Sequence, residues 1–101
     1  MSPSVIRDRV SATSVRIVSL TTTFQNPTGS VMPRSARKEI SRIASELGVP
    51  VIDDGALADL NIDGLPPPPL ATDNPDALVL TIGSISKLIC SGLRVGWVRS
   101  T

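Results

Sequence analysis

An α/β fold with a mostly parallel sheet is predicted by three features of this 101-residue chain. Short apolar, β-branched runs recur at 14–22, 49–52 and 77–82. A segment with helical periodicity separates the first two, which is the arrangement of a crossover between parallel strands. A last β run at 95–98 follows the third too closely for a crossover and is expected to run antiparallel.

The first dozen residues mix charge, Ser and Pro without a period, so they read as loose or as a helix cut short by the start of the chain. From about Ser14, Val15 and Ile17 lead into an almost continuous apolar and Thr run through Leu20 and Thr22, which suits a strand buried in a parallel sheet. It ends in a turn over 24–29. The spacing of Ala36, Ile40, Ile43, Ala44 and Leu47 predicts a helix over 32–47, with Pro33 in its first turn and Gly48 as its stop. Arg34, Arg37, Lys38 and Arg42 fall largely on the other face, read as solvated. Strand 49–52 then brings Asp54 to the carboxyl end of a parallel strand, where ligands bind in open α/β sheets. The stretch 59–70 ends in four prolines and reads as a rigid connector. Strand 77–82 delivers Ser84 and Lys87 to its own carboxyl end.

Ten basic residues against nine acidic ones leave no field to draw nucleic acid or an anionic membrane, so this segment is expected to contact neither. A lone Cys90 forms no internal disulfide. Together with the absence of a signal-like stretch after Met1, this reads as cytoplasmic. No histidine is present, which excludes a Ser-His pair or a His-based zinc site; no metal is expected.

Four blocks carry the chemistry. They are Asn26-Pro27-Thr28-Gly29, Asp54 after an apolar run, Gly83-Ser84-Ile85-Ser86-Lys87, and Gly92-Leu93-Arg94-Val95-Gly96-Trp97. Singly, the first three have bland readings: a tight turn, a strand end meeting solvent, a solvated lysine. Their joint occurrence in this order resembles the core of the pyridoxal-phosphate aminotransferases of fold type I, class I/II. That resemblance implies a partial three-layer sandwich, a fragment of the family's large domain, over residues 14–101, with 1–13 as a loose or truncated N-terminal segment.

It also implies pyridoxal 5'-phosphate as cofactor, held as an imine by the Lys87 amine, the catalytic residue. Asp54 would hold the protonated pyridine nitrogen, and Ser84 and Arg94 the phosphate. Asn26 would donate to the ring's phenolic oxygen. The match of Leu57-Ala58-Asp59-Leu60 to the stretch around a family Tyr selects Asp54 over Asp53. Asp53, pointing the other way, reads as a surface carboxylate, and Trp97 as core packing.

More narrowly, Asp-Asp-Gly-Ala-Leu-Ala-Asp-Leu, the proline run and the lysine block look like the aminotransferase-like domain of MocR-type GntR-family regulators, where it is fused to a winged helix-turn-helix. Leu57 stands where many aminotransferases carry a Tyr. The resemblance thus implies an amino-acid substrate for an enzyme, or an amino-acid effector for a cofactor-sensing regulator, in a homodimeric parent protein. Counterparts of the family's upstream phosphate loop, stacking aromatic and substrate-carboxylate arginine are absent from this sequence. The isolated chain is therefore expected to behave as an inert, truncated fragment.

Overall fold

A computed structural model describes residues 2–12, 14–25, 28–60, 64, 67–85, 89 and 92–100, with backbone only at 12 and 59. In chain order the elements are α1 (Pro3–Ala12), β1 (Val18–Leu20), α2 (Arg34–Leu47), β2 (Val51–Asp54), β3 (Val79–Ser84) and β4 (Gly96–Ser100). Single 3-10 turns lie at Ala58–Leu60 and Leu70–Thr72. The sheet order is β1-β2-β3-β4, with the first two pairings parallel and the last antiparallel. This is the mostly parallel α/β sheet expected from the sequence, including the reversed fourth strand. For the first dozen residues, the structure has the helix, α1.

The register sorts side chains onto two faces, because paired residues point the same way and neighbours alternate. Leu20, Val51, Asp53, Val79 and Thr81 share the face covered by the helices. Ile40, Ala44, Ile6 of α1 and Leu70 complete the core there. Ile52, Asp54, Leu80, Ile82 and Ser84 share the other face and are only partly buried. One helical layer therefore covers one side of the sheet among the described residues.

Helix α2 follows its sequence period. Ile40 and Ile43 are fully buried, and each contributes about 1.5–3 kcal/mol by leaving water. Gly48 ends the helix with φ 65°, a left-handed conformation that an L side chain would strain. Its N–H caps the Ala44 and Ser45 carbonyls. Pro33 sits just before the helix at φ −57° and ψ 146° rather than in its first turn.

The reading of Arg37 as a solvated side chain is overturned. Arg37 is 2% exposed. Its Nε lies 3.5 Å from Oδ2 of Asp73, and its Nη2 donates to the Pro68 carbonyl. The proline connector is thus tied to α2 through the Pro68 carbonyl, and the turn that follows it through a buried ion pair, with the more exposed Arg34 3.7 Å from the same carboxylate. Elsewhere the helix surface is charged as expected. Arg42 bonds Glu39 and Glu46, and Arg7 reaches Glu46 at 3.0 Å to tie α1 to α2. The Arg42 hydrogen bond holds the Glu39 carboxyl below its ordinary value, and the Arg7 hydrogen bond does the same for Glu46. No helix among the described residues is long and apolar enough to cross a membrane.

Candidate functional site

The carboxyl edge of the parallel sheet gathers three of the five residues singled out by sequence. Strand β2 ends at Asp54 and β3 at Ser84, and Asp54 pairs in register with Ile82. Ser84 lies two residues beyond that partner, so the carboxylate and the hydroxyl project from the same, uncovered face. Each strand is short and rich in branched apolar residues up to its end. The polar residue arrives where the ladder stops, and its side chain is left free of core packing.

Local backbone bonds hold this edge. Gly55 N–H donates to the Ile82 carbonyl at 2.8 Å, extending the β2–β3 ladder one residue past Asp54. Asp54 Oδ1 accepts the Ala56 N–H at 3.0 Å, which fixes the carboxylate over the turn leaving β2. Beyond the Ser84–Gly96 pair, Ile85 N–H donates to the Val95 carbonyl at 2.9 Å. This closure brings Arg94 next to the end of β3. Arg94 is exposed and takes φ 48°, one of two described non-glycine residues with positive φ. The other is Phe24, at φ 53°, in the turn after β1. Strained backbone of this kind persists only where the surroundings impose it, and it concentrates in working loops.

Asn26 and Lys87 lie outside the described residues, as do Ser86 and Cys90. The segments on either side of Lys87 end at the same sheet edge. Ser84 and Ile85 precede it, and Ile89 N–H donates to the Ile85 carbonyl at 3.1 Å after it.

Asp53 corrects the sequence reading. It does point opposite to Asp54, yet it is no surface carboxylate, because the face it enters is the one the helices cover. It is 3% exposed. Thr22 Oγ1 donates to its Oδ1 at 2.8 Å, and Leu70 N–H to its Oδ2 at 3.1 Å. Asp53 therefore joins the end of β1, the end of β2 and the start of the Leu70–Thr72 turn. Sequence reasoning missed this anchor; the adjacent threonines of 21–23 were the available signal. Trp97 packs against Gly83, where a Cβ would come within 2.1 Å of the indole. It is 40% exposed. Among the described residues, no three His, Cys, Asp or Glu side chains cluster as a metal site would need.

The family model described as aminotransferase class I and II matches residues 7–101. Over 75 residues, 74% of this chain and 16% of the relative, the chain is 41% identical to YdfD, an uncharacterized HTH-type transcriptional regulator of Bacillus subtilis (strain 168). It is 32% identical over 86 residues to the aromatic-amino-acid aminotransferase 1 of Thermococcus litoralis, covering 85% of this chain and 21% of that protein. Among solved structures, an alpha-aminoadipate aminotransferase of Thermus thermophilus, complexed with N-(5'-phosphopyridoxyl)-L-leucine, superposes with a TM-score of 0.85 at 29% identity. That match covers 97% of this chain and 26% of the other. The chain thus spans about a sixth to a quarter of the length of the proteins it matches.

Proposed function

The chain belongs to the aminotransferase class I and II family, and on that premise we propose that it forms the part of a cofactor-binding domain that holds pyridoxal 5'-phosphate for work on an amino acid. The proposed partial domain spans residues 14–101, with 1–13 as its N-terminal segment. The observation that carries this reading is the face shared by Asp54 and Ser84 at the carboxyl edge of adjacent parallel strands, uncovered among the described residues.

A phosphorylated pyridine fits these groups. Asp54 offers a partly exposed carboxylate for a ring nitrogen, and its bond to Ala56 N–H orients it without using up its acceptor capacity. A carboxylate there keeps a proton on that nitrogen. Ser84 offers a hydroxyl, and Arg94 a guanidinium whose fork suits phosphate. Asn26 would donate its amide N–H to the phenolic oxygen. Lys87 is the proposed catalytic residue, its amine attaching the cofactor covalently. When bound, pyridoxal phosphate supplies an electron sink for charge developing at the substrate's α-carbon. The chain's own residues bind and orient, and they hold the ring proton.

A second reading has its own support. The 41% identity to a stretch of an HTH-type regulator, together with Leu57 at the position of the family Tyr, favours a parent protein in which the same site senses cofactor and an amino-acid effector. In either reading the parent is proposed to be a homodimer. The two separate in one experiment on the protein that contains this chain. Cofactor uptake is followed by visible absorbance, and amino acids are then supplied singly while keto acid is assayed. Uptake with keto-acid formation is the outcome for the enzyme. Uptake without turnover, with DNA affinity altered by cofactor, is the outcome for the regulator. No cofactor uptake at all would sink both.

A further inference from the structure

On the helix-covered face, opposite Asp54 and Ser84, a chamber of about 120 Å³ lies between the sheet and the proline connector. Its wall includes Thr22, Asp53, Gly55, Thr81, Pro69 and Trp97. The chamber is large enough for several waters, yet its chemistry is one-sided. Asp53 brings a carboxylate that is 3% exposed and, among the described residues, is met only by neutral donors. Thr81, its register partner on β3, is 4% exposed, and its Oγ1 has no hydrogen-bond partner among the described residues. The indole of Trp97, packed against Gly83, contributes an aromatic ring to the wall.

A buried carboxylate without an opposite charge is costly, as is a buried hydroxyl without a partner. We propose that the chamber is a binding site for a small monovalent cation, an alkali ion or a primary ammonium of similar size. Such a cation is attracted by Asp53 and by the Trp97 indole in the wall, and it takes a lone pair from the Thr22 and Thr81 hydroxyls. A divalent ion is disfavoured, because no second carboxylate joins Asp53 here and no cluster of three acidic, His or Cys residues exists among the described residues. The site lies on the face away from Asp54 and Ser84 and stands independently of the function proposed above.

Trp97 is the chain's only tryptophan, so its fluorescence reports directly on the chamber. The full chain is titrated with potassium, sodium, ammonium or methylammonium chloride. Tetrabutylammonium chloride at matched ionic strength is the control, its ion being far larger than the 120 Å³ chamber. A saturable change in Trp97 emission is expected with at least one small cation and not with the control, and the tightest binder identifies the occupant. Asp53→Asn should weaken half-saturation at least tenfold. Because Asp53 also anchors Thr22 and Leu70, Thr81→Val is the decisive variant: it removes only an unpartnered hydroxyl, and it should weaken binding severalfold with unchanged circular dichroism. An unsaturable response, a response shared by tetrabutylammonium, or unchanged half-saturation in Thr81→Val overturns the proposal and leaves a chamber of water alone.

Discussion

Lys87→Ala, made in the protein that contains this chain, is expected to abolish covalently held cofactor, whereas Lys38→Ala should retain all of it. These are the chain's two lysines. Lys38 stands exposed on α2, the helix packed against the face opposite Asp54 and Ser84. Lys87 follows Ser84 by three residues and precedes Arg94 by seven. In the proposed site the cofactor is held by Asp54, Ser84 and Arg94, and Lys38 lies across the sheet from them, so it does not substitute for the Lys87 amine. Borohydride reduction followed by peptide mass mapping checks this. The label should appear on the Lys87 peptide of the parent protein and vanish in Lys87→Ala, with visible absorbance lost in parallel. Label trapped at Lys38, or undiminished label in the Lys87 variant, would refute the assignment.

The second large effect concerns stability. Arg37→Met keeps most of the side-chain volume but leaves the Asp73 carboxylate, whose side chain is 2% exposed, without its buried partner. Breaking a buried pair from one side costs about 3–5 kcal/mol. Arg34 remains 3.7 Å from Asp73 and offsets part of the loss, so the low end, about 3 kcal/mol, is expected. In urea this lowers the unfolding midpoint by roughly 1 M or more. Arg37→Met combined with Asp73→Asn should recover a substantial part, since the stranded charge is gone. A double variant no more stable than Arg37→Met would show that the arginine acts through packing and its bond to the Pro68 carbonyl, not through the ion pair.

Arg37 also marks where sequence reading stops. The helical period of Ala36, Ile40, Ile43 and Ala44 is plain, as is the Gly48 stop, because both are local. Arg37 sits beside that apolar stripe. What draws it inward is Asp73, far along the chain and visible only once the connector has folded back. Strand boundaries move for the same reason. Val49 N–H is taken by the Ala44 carbonyl in the helix cap, and Ala77 N–H meets the Asn74 carbonyl in a turn. The ladders therefore start later, at Val51 and Val79, and run on through the polar residues Asp54 and Ser84. In β1 the ladder is confined to Val18–Leu20, although the apolar run is longer. The alternation of Asp53 and Asp54 is legible in sequence, but not which face the helices cover, so the inward carboxylate reads as a surface one until the chain folds. For the proposed site, the order of the four blocks points to one sheet edge, where Asp54, Ser84 and Arg94 lie. The meeting of Asp54 and Ser84 on one face depends on a register that no single strand encodes.

The most direct test is the structure of the parent protein with pyridoxal phosphate bound. An Asp54 carboxylate oxygen is expected within hydrogen-bond reach of the ring nitrogen, about 2.6–3.2 Å, with Ser84 and Arg94 on the phosphate. A ring nitrogen directed at Asp53, or a cofactor held on the helix-covered face of the sheet, would contradict it.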